Sequence, residues 1–178
     1  ALSSFQRIDD LIERMGAITR QLKSYARKGG EAFEPVDLRA AVSSALAMME
    51  PQLRLRRIRL QRHVPRYPVL VNCDRIRLEQ VIVNLLRNAM DATKSVAEPQ
   101  IEIRVDSGAH AYLSVRDNGP GVSDLEKLFE PFFTTKKPGE GTGLGLASSS
   151  GIIADFGGRL TAHNMDGDGK TGAVFELE

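Results

Sequence analysis

The stretch GTGLGLASSSGIIADFGG, residues 141–158, sets Gly141, Gly143 and Gly145 directly before a segment patterned as a helix. Small residues there leave backbone N–H groups uncovered at the positive end of the helix dipole, which makes an anion cradle. Two other phosphate cradles do not fit. A dinucleotide fingerprint needs a surrounding βαβ unit and another glycine spacing, and a P-loop ends in Gly-Lys-Ser/Thr. The stretch points away from a doubly wound sheet, so the surrounding elements have to define the fold.

Upstream, DLRAAVSSALAMMEPQLRLRR predicts a helix capped by Asp37, with Leu38, Val42, Leu46 and Met49 on one face. IRLQRHV alternates as a strand and YPVLVNC is a second short extended piece. Asp74 caps another helix running to about Lys94, whose expected buried stripe is Ile76, Val81, Leu85 and Met90, with Ile82, Leu86 and Ala89 beside it. QIEIRVDS and AYLSVRD follow as strands around Gly108, and then the period disappears from Asn118 to Gly143. After a helix over about 144–155, RLTAHNM and GAVFELE close the chain as hairpin strands around DGDGKTG. Helices and strands in this order predict an α+β fold, a two-layer sandwich with helices on one face of a mixed sheet.

Residues 1–28 read separately, as one long amphipathic helix. Phe5, Ile8, Ile12, Met15, Thr19, Leu22 and Ala26 fill a and d positions of a heptad, and Leu11, Ile18 and Tyr25 add the g column. That stripe suits a helix inside a four-helix bundle. KGGEAFEPVD then supplies a linker, so two units are expected, 1–30 and 36–178.

Apolar residues make up 42% and charged residues 26% of the 178, with no uninterrupted apolar run long enough to span a bilayer, and residues 1–28, charged throughout, are not expected to be a secretory leader. The lone Cys73 excludes an internal disulfide. The net charge of +1 hides an asymmetry: residues 1–78 hold 15 Lys/Arg against 8 Asp/Glu, and residues 79–178 hold 9 against 15. The basic run RLRRIRLQR, Arg54 to Arg62, reads as a solvated helix end passing into a strand rather than a nucleic-acid patch, because Leu55, Ile58 and Leu60 interrupt it.

Four features carry chemistry. Asn84 and Asn88 are four apart on one helix face, with Asp91 on the next turn. Carboxamides on an apolar helix need partners; they either cap a neighbouring loop or turn an amide oxygen to a hydrated cation. VRDNGPGV ends a strand in Asp117, which can accept from an exocyclic amine, and Gly119 and Gly121 flank the turn at Pro120. LFEPFFTTKK places Phe129, Phe132 and Phe133 as an anchor for a mobile segment, with Lys136 or Lys137 able to approach phosphate. The glycine cradle is the fourth.

This ordered set, over residues 36–178, resembles the ATP-binding catalytic domain of sensor histidine kinases, a Bergerat-type fold within the superfamily of the type II topoisomerase, Hsp90 and MutL ATPases. The resemblance implies ATP and Mg²⁺ as cofactors. Asn88 would hold the metal; Asn84 would lie beside the triphosphate, with Asp91 on the same face. Asp117 would bind the adenine amino group, with Gly119 and Gly121 near the ring. A lid over about 119–143 would be anchored by the three phenylalanines. Gly141, Thr142, Gly143 and Gly145 would face phosphate, with Leu144 and Leu146 flanking them toward the core. Asn88, Asn84, Lys136 and Lys137 are the candidate catalytic residues.

Hydrolytic relatives place a glutamate where this chain has Asn84, and an amide is no base at neutral pH. The resemblance thus implies γ-phosphoryl transfer to a histidine and onward to a response regulator receiver domain. The acceptor would sit on a hairpin whose second helix is residues 1–28, paired as a homodimer in a full-length protein of the bacterial inner membrane, with this part soluble in the cytoplasm. His63, His110 and His163 all fall in or beside expected strands, so the phosphoacceptor is expected outside this sequence. The glycine-stretch texture leans to sensors of four-carbon-dicarboxylate transport and nitrogen regulation. Two departures stand out: Gly172-Ala173-Val174-Phe175 replaces Gly-Thr-x-Phe, and Ser148-Ser149-Ser150 makes the helix after the cradle polar. Other readings are an ATPase switch domain of the superfamily and a degenerate nucleotide-binding or protein-interaction module.

Overall fold

Asp37 ends a strand and starts a helix. Its carboxylate accepts from the Arg39 backbone N–H at 3.1 Å, filling one of the orphan donors that every helix start exposes, and pairs with the Arg39 guanidinium at 2.7 Å. A computed structural model describes residues 33–136, 141–165 and 171–178. The helix expected over 1–28, the linker as far as residue 32 and Lys137 lie outside the described residues.

Among the described residues the order is β1 (Glu34–Asp37), α1 (Leu38–Leu55), β2 (Arg59–His63), β3 (Leu70–Cys73), α2 (Arg75–Ala92), β4 (Gln100–Ser107), β5 (Ala111–Asp117), α3 (Gly145–Asp155), β6 (Leu160–Asn164) and β7 (Ala173–Leu177). Five strands form one mixed sheet in the order β2-β4-β5-β7-β6, with β2 parallel to β4 and the remaining pairs antiparallel. The α+β expectation holds. The basic run is, as expected, the end of α1, a turn and the edge strand β2.

Period-two alternation builds the layers. Ile103, Val115 and Phe175 are neighbours across β4, β5 and β7, and Val105, Leu113 and Leu177 form the next row; all six are buried. Glu102, Arg104, Arg116 and Glu176 occupy the alternate positions, outside the core. The buried rows meet the apolar faces of α1 and α2, where Val42, Val81, Ile82, Leu85 and Leu86 are fully enclosed.

Two expectations change. Residues 34–37 were read within a linker, but they form β1, paired antiparallel with β3 from Glu34↔Cys73 to Asp37↔Leu70. Four residues containing a proline carry no period, and the partner strand lies more than thirty positions away, so nothing local announces it. Ile76 is 74% exposed rather than buried. At 3.6 residues per turn it shares a face with Gln80 and Arg87, both exposed, while Leu78 takes the core position.

Asp37 joins β1, α1 and the Val69 N–H, which it also receives at 3.4 Å, and the Arg39 hydrogen bond pulls its carboxyl down to about 2 from 3.8. Stability from this group is full above the unfolded value and is lost as pH falls through about 2. Asp37→Ala is expected to cost about 1–2 kcal/mol in urea unfolding at pH 7, with the gap to the parent chain narrowing in acid.

Candidate functional site

Helix α2 has one face in the core and one edge of amides and acid. Asn84, Asn88 and Asp91 follow one another along that edge, and each meets a different part of the chain. Asn84 Nδ2 donates to Ser149 Oγ of α3 at 2.9 Å. Asn88, one turn on, is half-buried, and its carboxamide has no hydrogen-bond partner among the described residues. Asp91 gathers three cations: Lys136 at 2.7 Å, Arg56 at 3.2 Å and Lys94 at 3.4 Å. Burial pushes the Asp91 carboxyl up, but these hydrogen bonds and charges outweigh it and hold it below the ordinary value.

The glycine cradle lies against the same edge. A Cβ on Gly145 would stand 2.6 Å from Asn84 Oδ1, so a side chain here requires the Asn84 carboxamide to move. Leu144 is the N-cap residue of α3 and makes no side-chain cap bond to the first N–H groups among the described residues. Thr142 Oγ1 accepts from the Leu144 N–H at 3.4 Å. Leu146 packs on the core, and Leu144 is half-buried.

The segment between the two loops is closed at its base. Phe132 N–H donates to the Gly143 carbonyl at 3.0 Å, and Gly143, at φ 66°, leaves no room for a Cβ against the Phe132 backbone. Gly141 lies against Thr134 and Lys136. The anchor differs in part from the three phenylalanines expected: Leu128 is buried and Phe129 packs on the core, but Phe132 is 73% exposed with φ 69°. With the main chain bent into the left-handed region at 132, the ring points out, and the backbone makes the contact instead. Lys136, expected near phosphate, is drawn to Asp91 here.

At the far end of β5 sits Asp117, 2% exposed. Burial raises its pKa, against backbone N–H donors from Gly119, 2.8 Å from Oδ1, and Ala173. The loop after it touches α2 where Gly119 meets Ala92, and Gly121 packs on Asn164. Asn164 was not singled out in the sequence. Its carboxamide accepts from the Val122 N–H and donates to the Val122 carbonyl, both at 2.7 Å, pinning the loop to β6. An asparagine at a strand end carries no periodic signal, so only the fold reveals it. The Ala173 departure leaves its backbone contribution intact, because the N–H, not the side chain, serves Asp117.

Asp117, through Gly119, borders the end of α2 at Ala92, and the start of α3 borders the same helix at Asn84. A buried acceptor, a set of uncovered backbone donors and a lone carboxamide can hold, respectively, an amine-bearing ring, an anion and a hard cation. Among the described residues no three His, Cys, Asp or Glu side chains group as metal ligands. The unpartnered Asn88 oxygen fits a magnesium ion that keeps water and phosphate oxygens for its other positions. A cavity of about 630 Å³ between Arg56, Lys94 and Gln100 adjoins only the Asp91 end of this set.

Residues 73–178 match the family described as histidine kinase-, DNA gyrase B- and HSP90-like ATPase. The chain is 40% identical to the C4-dicarboxylate transport sensor protein DctB of Pseudomonas aeruginosa, over 99% of this chain and 29% of that protein. It therefore spans under a third of that relative's length. Among solved structures, the nucleotide-free catalytic domain of histidine kinase ThkA aligns at TM-score 0.71 and 32% identity, over 83% of this chain and 94% of that one. Histidine kinase ThkA in complex with response regulator protein TrrA aligns at 0.75 and 25%, over 96% of this chain and 48% of that one.

Contact between Gly145 and Asn84 has a direct test. Gly145→Ala is expected to destabilise the chain by about 1–3 kcal/mol in denaturant unfolding, since the methyl must displace a carboxamide held by Ser149. Adding Asn84→Ala is expected to recover part of that loss; full additivity of the two costs would mean that they do not touch.

Proposed function

The chain belongs to the histidine kinase-, DNA gyrase B- and HSP90-like ATPases, as the catalytic ATP-binding domain of a two-component sensor histidine kinase, and on that premise we propose how its residues handle Mg-ATP. The carrying observation is that the buried Asp117 carboxylate, through Gly119 at Ala92, and the start of α3, through Gly145 at Asn84, both border α2. Asp117 accepts from the adenine amino group. The N–H groups from Gly141 to Gly145 face the triphosphate, and Lys136 trades Asp91 for phosphate as the segment over about 119–143 closes; Lys137 is its alternative. Asn88 would hold Mg²⁺, which when bound neutralises charge on the transferring phosphoryl group.

The reaction is transfer of the γ-phosphoryl group of ATP to a histidine nitrogen, leaving ADP. Position 84 supports this over hydrolysis. Its amide offers water no general base, and its Nδ2 is already committed to Ser149. What remains is catalysis by orientation and charge, as phosphoryl transfer permits. The acceptor is proposed to lie outside this sequence, since His63 and His163 are on strands, where they approach Glu102 and Glu176, and His110 lies in the loop between β4 and β5. A response regulator receives the phosphoryl group next. The likeness to DctB, by name a C4-dicarboxylate transport sensor protein, supports a sensor of four-carbon dicarboxylates. The resemblance of residues 36–178 to sensor histidine kinases adds the proposal of a homodimeric full-length protein of the bacterial inner membrane with this part in the cytoplasm. No helix among the described residues is long and apolar enough to cross a membrane.

Calorimetric titration with a non-hydrolysable ATP analogue tests the reading. The chain is expected to bind in the micromolar to sub-millimolar range, more tightly with Mg²⁺. Asp117→Ala is expected to weaken binding at least tenfold with or without the metal, a loss of ~1.4 kcal/mol or more. Asn88→Ala is expected to remove mainly the metal-dependent part. Binding indifferent to both substitutions would place the nucleotide elsewhere.

A further inference from the structure

Helix α3 packs on a hydrophobic core, yet two of its buried positions are serines: Ser148 at 9% and Ser149 at 2% exposure. An unpaired buried hydroxyl carries its full desolvation cost, so a serine in such a place calls for a partner. For Ser149 the partner is Asn84, whose Nδ2 donates to Oγ at 2.9 Å. The other end of the same carboxamide faces the start of the helix: a Cβ on Gly145 would lie 2.6 Å from Oδ1 but 3.1 Å from Nδ2.

The two ends of an amide are chemically opposite, and their surroundings here are opposite as well. Uncapped N–H groups at the start of α3 give a positive field, which draws the carbonyl oxygen. Ser149 lies one turn further along the helix, where its lone pairs accept the amine. Gly145 makes the space for the oxygen, the field of the α3 terminus favours the oxygen on that side, and the bond from Nδ2 to Ser149 Oγ holds the other end in place.

We propose that Ser149 is a positioning residue of the nucleotide site: by accepting from Asn84 Nδ2 it keeps Asn84 Oδ1 directed to the α3 N-terminus, as an acceptor for the hydrated cation accompanying the triphosphate. The proposal rests on the nucleotide reading given above. A carboxamide turned the other way would present two N–H donors, and cation-bound water, itself a donor, would find no acceptor there. Ser149 touches neither nucleotide nor metal and acts through Asn84 alone. Its effect is on the metal-dependent share of binding, not on the adenine share held by Asp117 at the end of β5.

The test is a titration of the whole chain with a non-hydrolysable ATP analogue, with and without Mg²⁺, reading the ratio of the two affinities. Ser149→Ala is expected to lower that ratio about threefold to tenfold while leaving the magnesium-free affinity within about twofold. Ser149→Thr, which keeps the hydroxyl, is expected to retain the parent ratio. In an Asn84→Ala background, Ser149→Ala is expected to change nothing further, because the residue it acts through is gone. If Ser149→Ala does not fold, Ser149→Cys carries the same comparison with a weak acceptor of similar size. An unchanged ratio, or equal losses with and without Mg²⁺, would overturn the proposal and leave Ser149 a packing residue. A parent chain that binds the analogue with no response to Mg²⁺ would overturn the site reading itself, a result visible before any variant is compared.

Discussion

Contact between the start of α3 and the polar edge of α2 is the constraint on which the rest of the site depends. With a methyl group's worth of space missing at Gly145, the two helices fix each other's height and rotation through Asn84 and Ser149. Once that contact is made, the uncapped N–H groups, Asn88 and Asp91 have fixed places relative to one another. The sheet supplies the other coordinate. Asp117 ends β5 in the row next to Val115 and Phe175, so its carboxylate is set by the same register that packs the core. A shift of one residue in that register would turn Asp117 to the outer face.

The segment between Asn118 and Gly143 is built differently. Its base is tied by backbone and by two apolar side chains, Leu128 and Phe129, while its cationic tip reaches α2 through Lys136. An ion pair with Asp91 is a contact that an anion can replace, since Arg56 and Lys94 remain to balance Asp91 when Lys136 leaves. Movement therefore need not strand a buried charge. The left-handed backbone at Phe132 and Gly143 forms a narrow joint where rotation can be concentrated while Leu128 stays in the core.

Most of this fold was legible in the residues because its elements are long and periodic. Helices α1 and α2 announced themselves through Asp37 and Asp74 and an apolar stripe, and β4 and β5 through strict alternation. What escaped shares one physical cause: dependence on a distant partner. Strand β1 exists because β3 is there to pair with it, and Asn164 matters because a loop more than forty residues earlier leaves Val122 to be bonded. Ile76 was misplaced for a local reason, since the first turn after a cap offers too few positions to fix the phase of a stripe. At the site, glycine spacing and paired asparagines were readable as types of chemistry. The exposed ring of Phe132 was not, because its orientation follows from a backbone dihedral that no side-chain pattern encodes.

The polar serines that interrupt α3 bear on why the site favours one fate of a phosphoryl group over another. A carboxylate at position 84 would bring a base and a negative charge next to a triphosphate; it would repel the nucleotide unless a cation intervened, and it would activate water. An amide brings neither. It does require both of its ends to be matched, and the chain does so with a helix terminus on one side and a buried hydroxyl on the other. In the proposed site, neutrality at 84 would leave the backbone donors of α3 as the main electrostatic feature facing the phosphates. They stabilise charge on the transferring group whichever nucleophile attacks, so selectivity falls to the nucleophile that is positioned. With no base to prepare water, a histidine brought into line would have the advantage, and withholding hydrolysis would be part of what the proposed site does.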